Sequence, residues 1–168
     1  MLDRIKSFSA GTWAAILLLV SAVISASILL RGALSAGGVV ELICRVFLAV
    51  ILFKQTRSWV YVIPFALLTV CAFLSGATTL GVVGGAVSNG LLALYAAALF
   101  TEKLPALRPL ARSAWFLPAA VSLGAYLVVW IGWLTQNAQS AVSLRTGLIF
   151  RLFLALALLL IGRWFADE

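Results

Sequence analysis

Six times along this chain an apolar run reaches the length needed to cross a bilayer, about 17 to 25 residues. The runs are 12–30, 34–53, 58–76, 79–100, 114–134 and 146–165. A backbone in hydrocarbon must satisfy its own polar groups, and runs of this length do so as helices. The gaps between them are short, so the 168 residues leave no room for a separate soluble domain. The expectation is a single all-α polytopic membrane domain of six transmembrane helices over 1–168.

Composition agrees, because 64% hydrophobic and only 10% charged residues cannot coat a soluble domain of this size. Mean hydropathy is +1.17. The first run, preceded by Arg4 and Lys6, is longer than the core of a secretory signal and reads as a retained span.

Twelve basic residues set the orientation, since cytoplasmic loops carry the excess of Lys and Arg. With the N-terminus inside, Arg4, Lys6, Lys54, Arg57, Lys103, Arg108, Arg112 and Arg163 lie on the inner side. Arg31 and Arg145 lie outside, and Arg45 and Arg151 fall within spans. Both termini are therefore expected in the cytoplasm. Tryptophan favours the membrane interface. Trp13, Trp59, Trp115 and Trp164 fall at inner ends of runs, and Trp130 and Trp133 at an outer end. The basic residues thus mark membrane faces, and no nucleic-acid partner is expected. The longest inner loop, 101–112, alternates leucines with basic residues around two prolines and is expected to lie on the anionic inner leaflet. The setting expected is a plasma membrane of the bacterial inner-membrane kind, with the lipid bilayer as the first partner.

The second run holds Glu41 and Arg45 among eleven Val, Leu, Ile and Phe residues from Val39 to Phe53. Four positions apart on a helix, the two side chains share a face and can pair. Each charge costs roughly 2.5 to 3.5 kcal/mol at a helix centre, against about 0.3 to 0.6 gained per apolar residue. The helix is marginal alone and should face its neighbours. Such a pair is either a functional centre or a structural lock.

The even runs resemble one another. Gly37-Gly38-Val39-Val40 resembles Gly84-Gly85-Ala86-Val87, and 42–49 resembles 148–155, which sets Arg45 over Arg151. Three repeated helical hairpins are one reading of this pattern and convergent composition is the other. The overlay brings Glu41 and Arg45, Ser88 and Asn89, and Arg151 to similar depth. Small residues Gly81, Gly85 and Gly147 allow the helices to approach closely. Two guanidinium groups against one carboxylate leave a positive charge that calls for an anion or a partner's carboxylate, unless Arg151 snorkels to the interface.

Catalysis is not expected. The chain lacks histidine and the motifs of nucleophilic or metal-assisted hydrolysis, and Cys44 and Cys71 lie in apolar runs as packing residues. No metal and no cofactor are expected. Two function classes remain. One is a small transporter, channel or substrate-binding membrane subunit for an anionic solute or lipid headgroup. The other is a non-catalytic accessory subunit of a larger membrane complex. Six short spans enclose little volume, so a homo-oligomer or other membrane subunits are expected as partners.

Overall fold

The computed structural model describes residues 8–32, 34–75, 79–136 and 141–167, except for the side chains at 28, 75, 79–81, 130, 132–136 and 141–148. The described residues form helices and connecting turns, with no strand among them. In chain order they are α1 (Ala10–Leu30), α2 (Ala36–Phe53), a 3-10 turn (Trp59–Tyr61) running into α3 (Val62–Ser75), and α4 (Thr79–Phe100). A second 3-10 turn (Pro105–Leu107) then leads to a short α5 (Arg108–Ser113), α6 (Leu117–Gln136) and α7 (Ala141–Ala166).

Four helices are long and apolar enough to cross a membrane, within α1, α2, α4 and α7. A fifth candidate is a broken one: Pro105–Ser113 and Leu117–Val129 meet at 62°. The apolar helix over the third run, Trp59–Leu74, is shorter. The chain is thus a multi-pass helical protein with four or five candidate membrane helices.

Local chemistry sets the helix ends. Ser35 caps α2 by accepting from the Gly38 amide at 3.1 Å, and Ser58 accepts from the Val60 amide at the turn before α3. The C-terminus of α4 is closed by Arg108, whose Nε donates to the Ala98 carbonyl at 2.8 Å and whose Nη2 donates to the Thr101 carbonyl at 2.9 Å. The inner loop therefore folds back on α4 as a turn and a short helix, with Pro105 and Pro109 near the starts of those pieces.

Packing runs in a closed circuit. Each long helix packs against its neighbours in sequence, α4 passes to α6, and α7 returns to α1. The even-numbered runs thus alternate with the odd ones around a ring, and among the described residues α4 approaches α7 while Arg45 of α2 reaches the Phe150 ring of α7. The outward faces are apolar, with Ile43, Val70, Phe73, Val128 and Ile149 more than half exposed, as expected of a surface wetted by lipid tails.

Near the end where α1 begins and α7 finishes, the ring is filled. Tyr61, Phe65, Phe100, Trp164 and Phe165 form an aromatic cluster with ring centres 5.1 to 6.5 Å apart. The turn after α2 is built around the same Trp164. Gln55 N donates to the Leu52 carbonyl and Thr56 N to the Ile51 carbonyl, both at 3.1 Å, which is the Schellman pattern. Gln55 takes the left-handed conformation there, at φ 54°, where glycine is usual. Its side chain accounts for the choice. Gln55 Nε2 donates to Ser9 and Thr12 of the α1 start, and Gln55 Oε1 accepts from the Trp164 indole at 3.3 Å. Arg57 stacks over the same indole at 4.2 Å, and the Tyr61 hydroxyl donates to the Thr56 carbonyl at 2.6 Å.

Candidate functional site

Toward the other half of the ring, charged residues occupy positions that pack as core elsewhere. On α2, Glu41 heads a stripe continued by Cys44, Arg45, Leu48 and Leu52, all buried. On α7, Arg151 shares its face with Ala155 and Leu158, four and seven positions on, which are 6% and 3% exposed. The lipid-facing positions of α7 are different ones, Ile149, Leu152 and Leu156. Glu41 and Arg151 thus each share a helix face with buried residues, although Arg151 itself is exposed.

Arg45 is 6% exposed and tied to three helices. Its Nη2 lies 3.7 Å from Glu41 Oε1 on its own helix, its Nη1 donates to Ser25 Oγ of α1 at 2.7 Å, and its guanidinium stands 5.3 Å from the Phe150 ring centre of α7. A buried guanidinium needs such a set of partners, because leaving its donors unmet in apolar surroundings is costly.

Arg151 is placed differently. Its guanidinium stands 5.4 Å from the ring centre of Tyr126 on α6 and 5.8 Å from that of Phe150. It is exposed, and among the described residues no carboxylate pairs with it. Arg151 is ten positions from Ala141, the start of α7, or about 15 Å along the axis. Tyr126 is likewise mid-helix in α6.

The two arginines meet on one ring. Distances of 5.3 and 5.8 Å to the Phe150 centre put the charges no more than about 11 Å apart. At an effective dielectric of about 20, unit charges at that separation repel by roughly 1.5 kcal/mol, less where water reaches Arg151. Glu41 offsets part of this. Its carboxylate is 34% exposed and stands beside Arg45. Side chains from α1, α2, α6 and α7 thus converge on one polar region.

Ser88 and Asn89 serve their own helix. Ser88 Oγ donates to the Gly85 carbonyl at 3.1 Å and Asn89 Nδ2 donates to the same oxygen at 2.9 Å. Gly85 allows close packing on α3, since a Cβ there would stand 3.2 Å from Ala72 Cβ. The surroundings of Gly81 and Gly147 lie outside the described residues, as do the side chains of Trp130, Trp133 and Arg145.

The partners Ser25, Tyr126 and Phe150 were not singled out in the sequence. Ser25 carried a usable signal, because Ser21 and Ser25 form a polar i, i+4 pair inside an apolar helix, the pattern of a helix-packing face. The aromatic partners carried none, being two among nineteen aromatic residues.

A separate cleft of about 370 Å³ lies between α4 and α6, lined by Val83, Gly84, Ala120, Val121, Gly124, Ala125 and Val128. Its lining is apolar and brings no ionisable group. Among the described residues no three His, Cys, Asp or Glu side chains gather as a metal-holding group. Comparison with protein-family models, curated proteins and solved structures finds no match for this chain.

Proposed function

We propose that this chain is a small transporter or substrate-binding membrane subunit that holds an anionic group at Arg151, inside a helical ring closed near the chain termini. In this reading the chain crosses a bacterial inner membrane six times with both termini in the cytoplasm. The third span is the short Trp59–Leu74 helix and the fifth begins after the bend at 114–116. Three hairpins in circular order suit the alternating contacts of the ring.

One observation carries the reading. Arg151 lies five positions inside its apolar run, beside Tyr126 and Phe150, yet it is exposed and has no carboxylate partner among the described residues. An unpaired guanidinium within an apolar run is expensive in hydrocarbon, and a bound anion relieves that cost. Arg45 is already held by Glu41, Ser25 and Phe150, so it contributes positive potential more than free donors. The aromatic cluster around Tyr61 and Trp164 closes the cytoplasmic half, so the site would be reached from outside.

The test is binding in lipid nanodiscs. Chloride, methanesulfonate and inorganic phosphate are titrated calorimetrically into the protein in neutral phosphatidylcholine, and again with phosphatidylglycerol added. At least one anion should bind, Arg151→Gln should weaken it tenfold or more, and Arg163→Gln should leave it unchanged. Competition from phosphatidylglycerol would identify a lipid phosphate as the natural occupant. No binding, together with co-purification of unrelated membrane proteins, would favour an accessory subunit whose charges pair with a neighbour.

A further inference from the structure

We infer that the anion held at Arg151 is a monovalent carboxylate with an apolar body, an aromatic or aliphatic acid and not a hydrated inorganic ion. The inference rests on the reading that Arg151 holds an anion and adds the chemical class of that anion. Three features of the site carry it. The first is charge. Glu41, 3.7 Å from Arg45, balances that guanidinium, which leaves Arg151 with a single positive charge for its occupant to meet. A second negative charge on the ligand would stand uncompensated among apolar helices.

The second is the supply of donors. The Arg151 guanidinium lies over the Tyr126 ring at 5.4 Å and over the Phe150 ring at 5.8 Å. Contacts with aromatic faces engage the charge and consume no N–H donor, so the planar fork stays open. Among the described residues neither Arg151 nor the Tyr126 hydroxyl makes a hydrogen bond, while Ser25 is already taken by Arg45. A carboxylate has two oxygens, and a two-pronged guanidinium with one phenolic hydroxyl meets both. Sulfate or phosphate would bring further oxygens to a place whose other walls are aromatic and aliphatic, and each oxygen left unmet there is costly. The third feature is the surface beside those donors. Leu127 and Leu152, the residues after Tyr126 and Arg151, are 37% and 46% exposed, and α6 packs against α7, so hydrocarbon borders the site on both helices. An apolar body joined to the carboxylate finds like surface on these leucines and on the two rings. The water shell of an inorganic ion finds no hydrogen-bonding partner on them.

The experiment titrates acetate, benzoate, octanoate, chloride and sulfate calorimetrically into the full chain in phosphatidylcholine nanodiscs at neutral pH. Empty nanodiscs and neutral benzamide correct for partition into lipid. Benzoate or octanoate should bind about tenfold tighter than acetate, chloride and sulfate, and Arg151→Gln should abolish that binding. The tighter of the two gives the source, benzoate a compact acid from solution and octanoate a fatty acid from the bilayer. Tyr126→Phe should weaken every carboxylate by about fivefold, the loss of one hydrogen bond. Tyr126→Leu should bring benzoate close to acetate. If the leucine variant does not fold, the ligand series on the unaltered chain and the phenylalanine variant decide. Acetate, chloride or sulfate binding as tightly as both larger acids, and weakened by Arg151→Gln, overturns the inference and leaves the Arg151 reading standing. No anion bound, or binding untouched by Arg151→Gln, overturns both.

Discussion

Arg45 and Arg151, 106 positions apart in the chain, direct their guanidinium groups at the same aromatic ring, that of Phe150. The ring's negative face offsets part of the repulsion between them, each contact contributing about 0.5 to 2 kcal/mol. Phe150→Leu should therefore lower stability in detergent by about 1 kcal/mol or more. Phe150→Tyr keeps both contacts and should be nearly neutral. Equal loss in the two variants would mean that packing, not the ring face, is what matters at this position. Thermal unfolding measures both.

Arg45 itself is held by more than its helix partner. Ser25→Ala removes one interhelical hydrogen bond and should cost about 0.6 to 2 kcal/mol. Arg45→Ala should cost less when Glu41→Ala accompanies it than when made alone, because the lone carboxylate is then left inside the ring. Glu41 is about a third exposed, so the relief falls short of that for a fully buried pair. Additive losses would show that the charges are not coupled.

Gln55 separates backbone from side-chain effects. It sits at φ 54°, a conformation costing roughly 1 to 2 kcal/mol for a residue with a Cβ. Its amide joins α1, α2 and α7 through Ser9, Thr12 and Trp164. Both Gln55→Ala and Gln55→Gly should destabilise the terminal end, and the alanine variant should be the worse by about 1 kcal/mol. Hydrogen exchange at the α1 and α7 ends reads the loosening directly. An alanine variant as stable as the glycine one would contradict the backbone account.

Much of the helical content was legible because length and hydropathy alone specify it, and the Glu41 and Arg45 pair followed from i, i+4 spacing. The circuit of helices was not legible. Apolar outer and inner faces use the same letters, so the sequence does not say which helix stands beside which. Of the even runs read as gathering at one centre, α2 and α7 meet at the Phe150 ring, while Ser88 and Asn89 of α4 bond within their own helix. Trp164 was read from its interfacial position, yet it is 2% exposed and anchors Gln55 and Arg57. Arg108 was read as marking the inner membrane face, and that it also closes the end of α4 depends on where the chain turns back, which the sequence does not show.

The glycines differ in what a methyl group would meet. At Gly162 a Cβ would strike the Trp115 carbonyl, a backbone atom that cannot rotate away, so Gly162→Ala should separate α7 from the bend before α6. At Gly124 nothing stands within 4 Å, and Gly124→Ala should stabilise α6 by up to about 1 kcal/mol through helix propensity. Unfolding temperatures of the two variants should move in opposite directions. A neutral Gly162→Ala would contradict the close approach.

Topology is tested with single cysteines in a background where Cys44 and Cys71 are replaced by alanine. Cysteines at Gly32 and Lys103, both exposed in connecting segments, should react with a membrane-impermeant thiol reagent from opposite sides. Reaction from the same side would remove the six-span arrangement with cytoplasmic termini.

The central claim is that Arg151 holds an anion within the ring, and the direct measurement is anomalous scattering from crystals grown in bromide. The expected result is a bromide peak within about 3.5 Å of the Arg151 guanidinium nitrogens, lost in Arg151→Gln. Bromide found only beside exposed basic residues at the membrane faces, such as Arg57, Arg112 and Arg163, with none at Arg151, would contradict it.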